Sequence, residues 1–121
     1  VTIFATGHLV WKAIEAGEIL AQQGISAEII NIHTIKPLDA QAVIASAKKT
    51  KCVVTAEEHQ MNGGLGDSIA QLLATQLPTP MEFVAVNDSF GESGTEEQLM
   101  TKYGINTANI VEAVQKVIKR K

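Results

Sequence analysis

Three adjacent residues, Glu57, Glu58 and His59, carry the two carboxylates and the imidazole that general acid–base chemistry uses. A glycine-rich stretch follows them, Asn62-Gly63-Gly64-Leu65-Gly66, at which helical spacing begins. Backbone N–H groups in such a stretch can cradle a phosphate at a helix N-terminus. The dinucleotide fingerprint is incomplete, because Asp67, Ser68 and Ile69 stand where a third glycine belongs, and Asp67 adds negative charge there. A tight turn with close helix packing fits this stretch better. Neighbouring residues on a strand face opposite ways, so Glu57 and Glu58 address one substrate only if the strand has already ended. Polar groups that satisfy loop backbone or a partner surface are the alternative. His8, His33 and His59 close three strands, with no cysteine or histidine companions at metal-ligand spacing. Cys52 lies inside an apolar run and reads as a small buried hydrophobe. A Walker motif and a serine nucleophile elbow are missing.

Four apolar runs position these residues: Val1–Ala5, Glu28–Ile32, Cys52–Val54 and Glu82–Val86. Leu9 to Gln23 has helical periodicity, with Leu9, Ala13, Ala16 and Leu20 on its dry face and Lys12, Glu15, Glu18 and Gln22 on its wet one. Gly24 closes that helix. Asp39 suits the N-cap of a second helix with the stripe Ala40, Val43, Ile44 and Ala47. A third helix over about Leu65–Gln76 buries Leu65, Ile69, Leu72 and Leu73. Thr95 with Gln98 forms a capping box for a short helix ending at Gly104. A last helix from about Ala108 carries Ile110, Val111, Val114, Val117 and Ile118.

Strands that are apolar without alternation, each followed by a helix, predict a three-layer α/β/α fold around a doubly wound, mainly parallel sheet. Right-handed crossovers give the strand order 2-1-3-4. Its switch point falls between the first and third strands, where Thr6-Gly7-His8 and Glu57 to Gly64 lie. At 121 residues the chain is one domain, residues 1–121, and it opens on Val1 inside a strand pattern, as expected of a domain excised from a longer chain. A hydrophobic share of 45% excludes a mostly disordered chain, and a net charge of −3 gives no footprint for nucleic acid. No apolar run approaches the ~20 residues of a membrane helix. The single cysteine rules out an internal disulfide and suits a reducing compartment.

Four stretches in register, Ala5-Thr6-Gly7-His8, Thr34-Ile35-Lys36-Pro37-Leu38-Asp39, Ala56-Glu57-Glu58-His59 running into Gly63-Gly64-Leu65-Gly66, and Phe90-Gly91-Glu92-Ser93-Gly94-Thr95, resemble the C-terminal domain of transketolase. The likeness runs over essentially the whole chain and is nearest to split or short transketolases. The C-terminal domains of deoxyxylulose phosphate synthase and of 2-oxo acid dehydrogenase beta subunits are similar but less close.

The resemblance implies a thiamine diphosphate and magnesium enzyme that moves a two-carbon ketol unit between sugar phosphates. In that family the cofactor lies between two other domains, and nothing in this chain resembles the Gly-Asp-Gly motif that opens the diphosphate site. No catalytic, cofactor-binding or metal residue therefore carries over. The implied role is packing and dimer support, in a cytoplasmic homodimeric enzyme whose thiamine-binding domains lie on the same or a separate chain. Gly7, His8, Glu57, Glu58, His59, Asn62, Gly63 and Gly64 are the candidate interface or regulatory loop. The family also implies an antiparallel edge strand just before Val1, whose loss would expose the second strand. A stand-alone module holding a phosphorylated metabolite, and a partner-binding domain of a dehydrogenase beta subunit, are the alternatives.

Overall fold

The computed structural model describes residues 1–7, 9–32, 38–60, 64–86 and 106–121. Its strands are β1 (Thr2–Ala5), β2 (Glu28–Asn31), β3 (Val53–Gln60) and β4 (Met81–Val86). The helices are α1 (Leu9–Gln22), α2 (Ala40–Thr50), α3 (Leu65–Gln76) and α4 (Thr107–Ile118). Among the described residues all pairings are parallel and the order is β2-β1-β3-β4, as the apolar runs require. The short helix expected over Thr95–Gly104 lies outside the described residues.

The two-residue period of a strand sorts the core into two layers. Ile3, Ala5, Val54 and Ala56 pack with Leu9, Ala13, Ala16 and Leu20 of α1 and with Ile110, Val114 and Val117 of α4. Phe4 and Val53 face the other way, onto Val43 and Ala47 of α2 and Leu65, Ile69 and Leu73 of α3. Sheet residues buried on both faces leave no wet alternation to read. This is the three-layer arrangement expected.

Local chemistry fixes the helix ends. The Ala42 N–H donates to the Asp39 carboxylate at 3.1 Å, so Asp39 is the N-cap of α2. Asn106 and Asn109 form a reciprocal capping box at the head of α4. Gly24, at φ 80°, ends α1 in the left-handed region. Lys51 takes the same role after α2 at φ 70°, although it is not a glycine.

Two expectations need correction. Lys12 is buried rather than on the wet face of α1, because its long aliphatic stem can pack along apolar surface, with its ammonium 5.4 Å from the Trp11 ring centre. The loop expected from Glu57 to Gly64 does not begin at Glu57: β3 runs through Glu57, Glu58 and His59 to Gln60. Backbone hydrogen bonding to β4 carries it past the point where side-chain polarity suggested an end.

Candidate functional site

The strand register decides where Glu57 points. Val53, Thr55 and Glu57 share the sheet face covered by α3, since alternate residues of β3 face one way. Glu57 is 1% exposed, a burial that a carboxylate tolerates only when it is hydrogen-bonded. Its partners are the first two amides of α3: Leu65 N–H donates to Oε1 at 2.8 Å and Gly66 N–H to Oε2 at 2.6 Å. These are charge-assisted bonds at the positive end of a helix dipole. They also satisfy two of the donors that every helix start leaves unpaired.

Gly66 makes this approach possible. A Cβ there would stand 2.8 Å from Phe83 Cδ1, 2.9 Å from Thr55 Oγ1 and 3.3 Å from Glu57 Oε2. A side chain there could be seated only if Phe83 and Thr55, or α3 itself, gave way. Gly64 behaves differently, as the N-cap of α3 with extended backbone at φ −94° and ψ −162°. Its φ is negative, so the backbone at Gly64 does not itself call for glycine. The close-packing glycine is Gly66.

The same segment breaks the sheet's regularity. Val53 to Ala56 pair with Met81 to Val84 step for step, and the next pair is Gln60 with Val86. Four steps along β3 thus meet two along β4, and the extra residues fall at Glu57-Glu58-His59. Register breaks of this kind re-aim side chains and cluster beside functional sites. On the other side β1 ends level with this point, where Thr6 N–H donates to the Ala56 carbonyl at 3.2 Å. Gly7, at φ 57°, then turns the chain into α1.

The switch point therefore brings together Gly7, Glu57 and Gly64. Glu58 and His59 belong to the β3 backbone. His8, Asn62 and Gly63 lie outside the described residues, as does the Phe90 to Thr95 motif. Leu65 and Gly66 were missed as partners of Glu57. The signal that could have found them was strand parity, which aims residue 57 at the helix beginning eight residues later. Among the described residues no three His, Cys, Asp or Glu side chains gather as a metal site.

Comparison with known proteins decides the family. The sequence profile of the transketolase C-terminal domain matches residues 1–110. The chain belongs to the transketolase C-terminal domain family. It is 48% identical over 121 residues to a 6-deoxy-6-sulfo-D-fructose transketolase subunit of Clostridium sp. (strain MSTE9), covering all of this chain and 38% of that protein. A 1-deoxy-D-xylulose-5-phosphate synthase of Geobacter sulfurreducens is 37% identical over 123 residues, with 100% of this chain and 19% of that one covered. Among solved structures, a split-gene transketolase in the form of an inactive beta4 tetramer superposes with a TM-score of 0.93 at 43% identity. That match covers 98% of this chain and 39% of the other. The transketolase C-terminal domain seen here thus spans about two fifths of the transketolase subunits it matches.

The cofactor implied for the intact enzyme can be tested against this site. A diphosphate needs free donors, and at the switch point the first two amides of α3 are taken by Glu57. Asp67 stands in the first turn of α3, where it opposes an anion. The residues present do not fit thiamine diphosphate, and no chemical step is derived through it.

Proposed function

We propose that this domain is the C-terminal accessory and assembly part of a thiamine diphosphate-dependent transketolase, a transferase of two-carbon ketol units between sugar phosphates, and is not catalytic alone. The observation that carries the reading is the likeness to a split-gene transketolase subunit along nearly the whole chain. A transketolase subunit at 48% identity gives the same direction, and the sulfonated sugar in that relative's name leaves the present substrate open within the ketose class.

The surface supports an assembly role. Trp11, Ile14 and Ile19 are exposed at 60%, 47% and 39%, and helical spacing sets all three on the outer side of α1. Large apolar side chains exposed beside Glu18 and Gln22 on the outer side of this helix make a mixed surface of the kind a partner covers. Its partner here is the pair of thiamine-binding domains of the same enzyme, in a homo-oligomer. Gly7 turns the chain into α1, and the interface role expected of Gly7, His8, Glu58, His59, Asn62, Gly63 and Gly64 belongs to the same reading. Glu57 holds that end of the sheet from inside. Among the described residues no helix is long and apolar enough to cross a membrane. The buried free thiol of Cys52 suits the cytoplasm.

Calorimetric titration of the isolated domain with thiamine diphosphate and magnesium tests this reading. No saturable heat and no ketol transfer are expected. Saturable binding at micromolar cofactor would overturn the accessory role.

A further inference from the structure

Doubly wound sheets of this order bind anionic ligands at the switch point, on the amides that open a neighbouring helix. Here α3 begins at that point, with Leu65 and Gly66 presenting two adjacent N–H groups. Both are already engaged by one carboxylate at 2.8 and 2.6 Å. That carboxylate is 1% exposed and comes from the strand itself. The arrangement holds every part of an anion site: paired donors, a helix dipole, and a glycine without a Cβ to obstruct the approach.

We propose that Glu57 is a built-in anion, a side chain that fills from within the seat a phosphate would otherwise occupy, so that this end of the sheet is closed to phosphorylated ligands. The geometry beside it agrees. The register break between Ala56 and Gln60 frees β3 from strict pairing at the residue that must reach across to α3. Thr55 and Phe83 crowd the Gly66 backbone on the side of the sheet, next to the carboxylate.

The inference is independent of the assembly reading. Thiamine diphosphate bound elsewhere on the domain would sink that reading and leave the part played by Glu57 untouched.

The test uses the whole chain, labelled with nitrogen-15, and inorganic pyrophosphate and formate as probes. In the wild type the Leu65 and Gly66 amide signals should move with pyrophosphate no more than other backbone amides do. In Glu57→Ala the thermal midpoint should fall by roughly 10 °C. Formate should then restore several degrees of it saturably, beyond what equal chloride restores, while shifting the Leu65 and Gly66 signals. Should Glu57→Ala not fold in plain buffer, folded signals should return in formate. Glu57→Gln keeps one acceptor, so it should fold, displace at least one of the two amide signals and ignore formate. Saturable movement of the wild-type Leu65 and Gly66 signals with pyrophosphate would overturn the proposal. So would a formate effect on Glu57→Ala no larger than that of chloride, or Glu57→Gln leaving both signals in place.

Discussion

Two glutamates are held from within at opposite ends of the parallel sheet, and their surroundings could hardly differ more. Glu57, at the C-terminal end of β3, is buried and bonded to two helix amides. Glu28, at the start of β2, has its side chain 35% exposed and accepts from the Ser46 hydroxyl at 2.9 Å and the Lys49 ammonium at 3.1 Å. Behind Ser46 a relay of hydroxyls continues inward, with Thr2 Oγ1 at 2.7 Å from both Ser46 Oγ and Thr50 Oγ1. The same chemical group thus joins a dry, fixed pair of donors at one end and the rim of a wet network at the other. A buried donor left unpaired keeps its full desolvation cost, whereas an exposed one turns to water. Position in the sheet, not residue type, sets what each carboxylate is worth.

The largest expected effect removes the dry member. Glu57→Ala orphans two buried amides and should lower unfolding stability by about 3 kcal/mol, measured by urea denaturation with an unchanged slope. Glu28→Ala should cost no more than about 1 kcal/mol, because water screens the pair it breaks. Equal losses from the two variants would break the comparison.

The next effect tests whether Glu57 depends on its neighbour glycine. Gly66→Val drives a Cβ into Phe83 and Thr55 and crowds Oε2 of Glu57. A loss of about 1–3 kcal/mol follows from overpacking. In a double-mutant cycle with Glu57→Ala the losses should fall short of additive, since both break the same α3 contact. Strict additivity would show that Gly66 is needed for packing alone.

Glu28 sharpens the contrast through pH. The Lys49 ammonium and then the Ser46 hydroxyl hold its carboxyl below the usual glutamate value of 4.5. A carboxyl depressed in the folded state stabilises that state above its unfolded value and loses the contribution as pH falls through the folded one. The stability gap between wild type and Glu28→Gln should therefore be full near neutrality and close as pH drops below about 4. Added salt should narrow it too. A gap that stayed open in acid would mean that the Glu28 charge is not what stabilises this corner.

Much of the layout could be read from residue order. The apolar runs of β1 and β3, buried on both faces, gave away a covered parallel sheet, and the strand order followed from crossover handedness. Spacing from Leu65 to Leu73 set the bounds of α3, and Asp39 marked the start of α2. Features that rest on contacts between distant residues stayed hidden. Glu57 looked like the polar end of a strand because polarity is local, while its bonds to Leu65 and Gly66 are tertiary. Lys12 looked wet because its charge shows in the sequence and the packing of its stem does not. The hydroxyl relay from Thr2 to Ser46 spans 44 positions, and no periodicity encodes it.

Lys51 belongs to this hidden class and carries the smallest prediction. It follows α2 in the left-handed region at φ 70° and ψ 4°, and its N–H donates to the Ala47 carbonyl at 2.8 Å. A β-carbon in that region crowds the following backbone, which is why glycine usually stands there, as Gly24 does after α1. Lys51→Gly relieves that crowding and keeps the N–H, so the closing bond of α2 survives. Against the gain stands the greater freedom of glycine in the unfolded chain, about 0.4–1 kcal/mol. Strain relief of about 1–2 kcal/mol exceeds it, and a net rise of about 0.5 kcal/mol is expected, read as a higher urea midpoint. The α2 end lies near the Glu28 network through Thr50 and Thr2, but the change acts on the Lys51 backbone and breaks none of that network's bonds, so the gain should appear equally in a Glu28→Gln background. If Lys51→Gly lowered stability instead, the exposed lysine would be holding the wet end of the sheet through its side chain, and the contrast between the two ends would be smaller than the two glutamates suggest.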